Sequence, residues 1–174
     1  MRFSWRPGCP VPLEDLRLVT VEHWGFDGRM HQGELVVHRS YARAVQDVFR
    51  RLAEARFPIE HVELVDVYLA DDDRSMAANN TSAFNCRTLG GRPGMWSQHA
   101  YGWAIDINPV QNPYLRAGRV SPAASEPYVD RSVPRPGMIR PGDVVVRAFA
   151  GIGWRWGGNW TRFKDYQHFS ATGR

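Results

Sequence analysis

The sequence predicts an α+β fold in which a small central antiparallel sheet is flanked by helices and long loops. One segment has the apolar spacing of an amphipathic helix, and several short segments have the composition or alternation of strands. These elements do not alternate regularly, which disfavours a parallel, doubly wound sheet. At 174 residues the chain fits one core, so we expect a single domain over residues 1–174.

The first elements are a short strand and a helix. Pro7, Pro10 and Pro12 disfavour regular structure, and we expect an irregular N-terminal segment over residues 1–25. A strand is predicted at 34–38. A helix over about 41–56 follows, because its apolar residues recur at spacings of three and four and form one stripe: Ala42, Val45, Val48, Phe49 and Leu52.

The ends of this helix and the next strand are also readable. Ser40 can cap the helix, and Pro58 stops it. Residues 62–69 are rich in Val and Leu and predict a buried strand. Residues 71–96 form a long polar, Gly-rich connection, and connections of this length are often functional.

The second half is predicted to contain three further strands and a short helix. Alternating apolar residues at 103–108 predict a strand with Asp106 on the face opposite Trp103 and Ile105. Residues 109–142 carry many Pro and Gly and should wrap the surface. Asp143 can cap a helix at 144–150, and segments 153–156 and 167–170 predict a closing pair of strands.

Composition disfavours several classes of protein. No apolar run approaches the roughly 18 residues of a membrane span, and residues 1–7 lack the apolar core of a signal peptide. The net charge of +4 and the pI near 9.4 fit an ordinary basic surface or attraction to a polyanion, such as nucleic acid or the bacterial cell wall. No basic run or nucleic-acid-binding motif is visible, so nucleic acid is disfavoured as a partner.

Two cysteines leave two interpretations open. Cys9 and Cys86 are either buried free thiols or one disulfide that ties the N-terminal segment to the loop before residue 97. A disulfide closing so long a loop would stabilise the fold by about 4 kcal/mol in the chain-entropy model and would indicate an oxidising compartment. The spacing matches neither a CxxC redox motif nor a four-cysteine zinc site.

Two short motifs contain the residue types of a metal site. The stretch Ser97-Gln98-His99-Ala100-Tyr101-Gly102-Trp103-Ala104-Ile105-Asp106 supplies a histidine and an aspartate, and Asp165-Tyr166-Gln167-His168 supplies a second histidine and another carboxylate. Two imidazoles and one carboxylate are a common ligand set of catalytic zinc, which keeps one position for water. Asp165 is the additional carboxylate that a hydrolytic site needs to take a proton from that water. The sequence therefore predicts zinc-dependent hydrolysis with one Zn²⁺ per chain.

These motifs, Ser97-x-His99-x-x-Gly102-x-Ala104-x-Asp106 followed by Asp165-x-x-His168, resemble the signature of the D-Ala-D-Ala carboxypeptidase family of zinc peptidases. The resemblance is nearest to the branch of L-alanyl-D-glutamate endopeptidases and phage endolysins. Further matching pieces lie at 79–87, 104–109 and 154–160, so the resemblance covers about residues 30–170. It implies an α+β fold whose small antiparallel sheet carries the zinc ligands.

The resemblance also implies a role for each matching residue. His99, Asp106 and His168 match the zinc ligands. Asp165 matches the carboxylate that serves as general base and acid, where many relatives have Glu. Arg87 matches an arginine that binds and polarises a carbonyl or carboxylate of the substrate.

Two further substrate contacts are expected beside these residues. Ser97 matches a motif serine that orients the substrate or the ligand loop. Trp156 and Trp160 lie close in sequence to the second motif and could form a pocket wall, although the alternative is that all seven tryptophans belong to the core. Arg87 would be a surface ion-pair partner if the resemblance were disregarded.

The sequence therefore favours a zinc peptidase that cleaves stem peptides of bacterial peptidoglycan. Cleavage between L-Ala and D-Glu, or at a nearby bond, is preferred over D,D-carboxypeptidase activity because the endopeptidase branch is the nearer match. We expect a monomer that acts outside the cell or at the cell wall, or a phage-encoded enzyme delivered to the wall. A non-catalytic, zinc-stabilised wall-binding module is the alternative from another class, and a nucleic-acid binder is a third, motivated by the pI alone.

Overall fold

The computed structural model describes residues 1–92 and 94–173 and has the α+β architecture that the sequence predicts. Its helices are α1 (Ala42–Glu54), α2 (Asp72–Ala77) and α3 (Val144–Ala150). Its strands are β1 (Leu16–Trp24), β2 (Met30–His38), β3 (His61–Val62), β4 (Asn80–Thr81), β5 (Ala104–Asp106), β6 (Tyr114–Arg116), β7 (Arg119–Ser121), β8 (Arg155–Trp156), β9 (Lys164–Asp165) and β10 (His168–Ser170).

The strands form several small sheets instead of one large one. β1 and β2 make a long antiparallel hairpin. β10 lies between β5 and β8 in an antiparallel central sheet, and β6 lies between β7 and β9 in a second antiparallel sheet. β3 and β4 form a short parallel pair. The pairing of β8 with β10 confirms the predicted closing strands.

The main core lies between the β1–β2 hairpin, α1, α3 and the central sheet. The predicted apolar stripe of α1 is buried through Val45, Val48, Phe49 and Leu52. Phe149 of α3 stacks on Phe169 of β10 with ring centroids 4.2 Å apart. Burying each such apolar side chain contributes about 1.5–3 kcal/mol, so this core fixes the central sheet in place.

The N-terminal segment is more regular than predicted. The expectation of irregular structure over residues 1–25 is wrong for β1, in which Leu16, Val19 and Val21 are buried against the core. The prolines limit regular structure only up to Pro12. The nine-residue register with β2 supplies hydrogen bonds and buried partners that a reading of local composition does not reveal.

The segment at 62–69 is not a long strand. Pairing ends at Val62, and a 3₁₀ turn covers Val65–Tyr68. The carboxylate of Asp66 in this turn accepts hydrogen bonds from the backbone N–H of Phe3 and the hydroxyl of Ser4. Leu69 adopts a left-handed conformation and is 57% exposed. The Val and Leu residues of this segment therefore do not form a strand that is buried on both faces.

Helix caps were predicted correctly in one case and wrongly in another. The Asp143 carboxylate accepts a hydrogen bond from the N–H of Val146 at 3.0 Å and caps α3 as expected. Ser40 does not cap α1, because Tyr41 occupies the N-cap position and makes no side-chain bond there. In the long connection at 71–96, Asp71 caps the short helix α2.

Polar groups hold together the segment that connects β5 to β6 and the segment that connects β7 to α3. The guanidinium of Arg131 donates to the carbonyls of Gln111 and Ile139, each at 2.6 Å, and to the side chain of Asn112 at 3.1 Å. It also lies 4.5 Å from the centroid of the Tyr166 ring. Arg131 therefore connects these segments to Tyr166, which lies between β9 and β10 within the second metal motif.

Candidate metal centre

Two strand ends and one turn bring His99, Asp106 and His168 together. Asp106 ends β5, His168 begins β10, and the antiparallel register pairs these two residues directly. His99 lies in the 3₁₀ turn Gln98–Tyr101 that leads into β5. All three side chains are buried, with exposures of 3–6%.

The donor atoms of these three residues converge. His99 Nε2 is 3.2 Å from Asp106 Oδ2 and 3.3 Å from His168 Nδ1, and His168 Nδ1 is 2.9 Å from Asp106 Oδ1. Tetrahedral ligands that are 2.0–2.2 Å from zinc lie about 3.3–3.6 Å from one another. Within the described residues this is the one group of histidine and acidic side chains that could hold a metal ion. The donor set suits zinc, and the three donor atoms lie close enough together to hold one ion.

The backbone selects the tautomer of His99. Its Nδ1 lies 2.6 Å from the carbonyl oxygen of Ala83, which can only accept a hydrogen bond. In the neutral imidazole, Nδ1 therefore carries the proton, and the lone pair of Nε2 faces Asp106 and His168. A ligand histidine is typically oriented in this way by a partner of its second nitrogen.

The charge state of Asp106 suits a metal ligand. Burial alone would raise the pKa of this carboxyl, but the positive charge and N–H donors that His99 and His168 supply when protonated outweigh burial and hold the pKa well below its usual range. The carboxylate is therefore ionised at neutral pH.

Local backbone features hold the turn that carries His99. The hydroxyl of Ser97 accepts a hydrogen bond from the N–H of His99 at 3.3 Å. Gly102 ends the turn with φ +68°, where a Cβ would come within 2.5 Å of the backbone nitrogen of His38. Ser97 is 3% exposed and fixes the ligand loop, and its contact with substrate stays a prediction.

Asp165, the first residue of the second metal motif, lies on β9 and is half-buried. Its Oδ1 is inaccessible and has no hydrogen-bond partner. Burial raises the pKa of Asp165 to about 7, while His168 and Arg87 act in the opposite direction. A carboxyl with a pKa near neutrality suits a group that takes up and returns a proton.

Arg87 is held by an acidic partner that the sequence analysis did not identify. Its Nη2 lies 3.0 Å from Oδ2 of Asp72 in α2, and the guanidinium is about one-third exposed. Its Nε is buried and has no partner. The positive charge of Arg87 acts to lower the pKa of Asp165, against the larger effect of burial.

A disulfide connects the N-terminal segment to the residue before Arg87. Cys9 and Cys86 are joined, with a sequence separation of 77 residues. The N–H of Cys86 donates to the carbonyl of Ser4, and the Arg6 guanidinium donates to the carbonyl of Cys86. The backbone that precedes Arg87 is therefore fixed by covalent and hydrogen-bonded contacts.

Trp156 packs in the core, and the ring of Trp160 lies beside the candidate ligand His168. Trp156 is 3% exposed, stacks on Phe169, and donates its indole N–H to the carbonyl of Tyr166 at 2.8 Å. The side chain of Trp156 therefore packs in the core, and its contact with substrate stays a prediction. The half-buried Trp160 ring lies 5.5 Å from that of His168.

Sequence reasoning also missed Tyr114. This residue lies on β6, directly opposite Asp165 of β9. The segment around it contains Pro and Gly and was predicted to wrap the surface, so no local signal indicated its pairing with the second metal motif. Asp72 was missed in the same way, because a single carboxylate in a polar loop is not distinctive.

Comparisons with known proteins bear on the second half of the chain. No curated protein and no solved structure matches the chain. None of the described helices is long and apolar enough to span a membrane. A family model described as D-alanyl-D-alanine carboxypeptidase matches residues 90–171, just under half of the chain, and this segment contains the three candidate ligands and Asp165. The resemblance indicated by the motifs is therefore confirmed over residues 90–171, which are similar to the D-alanyl-D-alanine carboxypeptidase family of zinc peptidases.

Proposed function

We propose that this protein is a zinc-dependent peptidase that hydrolyses amide bonds in the stem peptides of bacterial peptidoglycan. The observation that carries the proposal is the convergence of three buried donor atoms 2.9–3.3 Å apart, next to a carboxyl group with a pKa of about 7. The family match over residues 90–171 supports peptidase activity.

His99, Asp106 and His168 would hold the metal. Zinc bound there would supply Lewis acidity and a water whose pKa is lowered to about 7. Asp165 would take a proton from the attacking water and later return it to the departing amine. The position of Asp165 in the second motif and its raised pKa support this role, and general acid–base catalysis contributes roughly 10²–10⁴-fold to a rate.

Arg87 would stabilise the negative charge that develops on the carbonyl oxygen of the substrate. Its ion pair with Asp72 holds the guanidinium in one orientation, and its Nε still has no partner. Removing one electrostatic donor of this kind typically costs about 10²–10³-fold in kcat. Ser97 would support catalysis by fixing the turn that carries His99.

Two bond specificities remain candidates within the proposed activity. The nearer resemblance of the motifs to the endopeptidase branch supports cleavage between L-Ala and D-Glu. The description of the matching family, D-alanyl-D-alanine carboxypeptidase, supports the second candidate, removal of a C-terminal D-Ala. We place the endopeptidase first.

The setting that we propose is one monomeric domain acting outside the cell or at the cell wall, encoded by a cell or by a phage. The disulfide between Cys9 and Cys86 supports an oxidising environment. A non-catalytic, zinc-stabilised binding module is less well supported, because it would need neither Asp165 nor Arg87.

The test is mass spectrometry of fragments released from purified peptidoglycans of several chemotypes, with chelator and after zinc is restored. We expect chelator-sensitive release of new termini, whose masses identify the bond. Asp165→Asn should keep its zinc and lose release by at least about 100-fold. The matched control is Asp73→Asn, which replaces an exposed carboxylate of α2 and should behave like the wild type. Zinc-loaded protein that releases nothing from any wall would instead support the binding module.

A further inference from the structure

The sheet formed by β7, β6 and β9 places three side chains in one row beside the metal centre. Tyr114 of β6 pairs with Asp165 of β9 on one side and with Ser121 of β7 on the other. Directly paired residues of antiparallel strands project from the same face, with Cβ atoms about 4.5–5.5 Å apart. The Tyr114 side chain therefore lies on the sheet face that carries Asp165.

A second row of the same face is aromatic and basic. Arg116 and Arg119 pair directly and lie two residues along their strands from the first row. Phe163 lies two residues before Asp165, with its ring 5.6 Å from that of Tyr114 and 5.5 Å from the guanidinium of Arg116. We call Tyr114, Arg116, Arg119, Ser121 and Phe163 the hairpin face.

Aromatic contacts connect the hairpin face to the metal motif. The Phe163 ring lies 5.1 Å from the Trp160 ring, which in turn lies 5.5 Å from the ring of His168. Tyr114, Phe163 and Trp160 are each half-buried, so each of these residues is partly accessible. The hairpin face is therefore a continuation of the candidate site.

The two arginines of the hairpin face have no acidic partner within the described residues. Both are exposed, and neither takes part in an ion pair of the kind that binds Arg87 to Asp72. Like charges placed directly opposite each other in a sheet are destabilising. An incoming anion would relieve that repulsion, and arginine recognises carboxylates with two parallel hydrogen bonds.

The distance between the two rows limits where such an anion would sit on a substrate. Two residues along a strand span about 7 Å, and an extended peptide advances about 3.4 Å per residue. A carboxylate held by Arg116 and Arg119 would thus lie within about two residues of the bond next to Asp165.

We propose that the hairpin face binds a carboxylate-bearing part of the peptide substrate and thereby selects the bond that is cut. Tyr114 and Phe163 pack against the substrate chain, and Arg116 and Arg119 pair with its carboxylate. This inference rests on the proposed peptidase function and adds the chemistry of the residue next to the bond.

Two synthetic stem peptides test this inference. Both contain L-Ala joined to D-Glu and end in an amide. They differ only at the D-Glu carboxyl group that is not part of the peptide chain, which is free in one peptide and amidated in the other. Binding to the zinc-loaded protein is measured by calorimetry, and cleavage by kcat/KM. We expect the wild type to favour the free carboxylate by tenfold or more in both measurements.

The test variant is Arg116→Gln/Arg119→Gln. Its affinity and kcat/KM for the carboxylate peptide should fall at least tenfold, mainly through higher Kd and KM. Its values for the amidated peptide and its zinc content should change little. The matched control, Arg29→Gln/Arg43→Gln, removes two exposed charges from the β1–β2 turn and α1 and should keep the wild-type preference.

Different results separate this inference from the proposed function. Binding that favours the carboxylate through the two arginines, without any cleavage, would support the hairpin face and contradict the peptidase. Equal binding and cleavage of both peptides by the wild type, or an unchanged preference in the test variant, would refute the hairpin face alone. If the test variant no longer binds whole walls while the wild type binds both peptides equally, the arginines bind an anionic wall polymer instead, and the inference is also refuted.

Discussion

Gly157→Ala is expected to damage the candidate site without altering any of its functional groups. Gly157 follows β8 and lies against the segment that carries the second metal motif. An added Cβ would lie 2.6 Å from the carbonyl oxygen of Asp165, 3.0 Å from its Cβ and 3.3 Å from the Cβ of His168. The φ angle of Gly157 lies outside the left-handed region, so the obstacle is lack of space.

The size of the effect follows from the displacement that the methyl group requires. Ordinary contact begins at 3.4 Å, so the backbone at Asp165 must move by about 0.8 Å from the 2.6 Å position. A misplacement of about 1 Å can cost 100-fold in rate, and overpacking typically costs about 1–3 kcal/mol. We expect kcat to fall by about 10- to 100-fold and the free energy of unfolding to fall by about 1–3 kcal/mol. Zinc affinity should also fall, because the added methyl group would displace the candidate ligand His168.

The assay combines urea unfolding, zinc titration and peptide hydrolysis. Gly151→Ala is the matched control, since its Cβ would meet no atom closer than 3.3 Å, at the end of α3. It should keep the wild-type kcat and zinc affinity. Wild-type activity and stability in Gly157→Ala would refute the reasoning, because the close approach of β8 to Asp165 would then have no consequence.

Three further predictions concern the carboxyl, the metal and the disulfide. Burial raises the pKa of Asp165 to about 7, so the metal-free protein should lose up to about 4 kcal/mol of stability as the pH rises from about 4 to about 7. In chelator-treated Asp165→Asn, the free energy of unfolding should not show this fall with pH. Parallel plots of that free energy against pH for the variant and the wild type would contradict the prediction. Zinc at 100 times its Kd should stabilise the wild type by about 2.7 kcal/mol and His99→Ala hardly at all, as measured by thermal unfolding; an equal gain would reject His99 as a ligand. Replacing Cys9 and Cys86 by Ser should lower the free energy of unfolding by about 4 kcal/mol, and an unchanged urea midpoint would show that the bridge does not constrain the unfolded chain.

Elements with a local signal were predicted well. The apolar stripe of α1 and the Asp143 cap of α3 depend on residues within one or two turns of each other. β8 and β10 were predicted as a closing pair, and the structure pairs them through Phe169 and Trp156. Local propensity and periodicity act over such short distances, so a single sequence contains the information.

Elements that depend on distant partners were predicted poorly. β1 forms because β2 pairs with it along nine residues, although the preceding prolines indicated irregular structure. The segment after Val62 turns because Asp66 accepts hydrogen bonds from the N-terminal segment more than 60 residues away. Competition between local preference and such contacts is decided by tertiary packing.

The sequence by itself determined which residue types are available for chemistry: two histidines and a carboxylate in two ordered motifs, with one more carboxylate before the second histidine. Only the tertiary structure decided that Asp106 and His168, 62 residues apart, face each other in one sheet, and that the ring of Trp160 lies beside the ring of His168. It also decided that Tyr114 and two arginines share a face with Asp165. The physical reason is that strand register and burial arise from packing between distant segments, and spacing along the chain does not encode that packing.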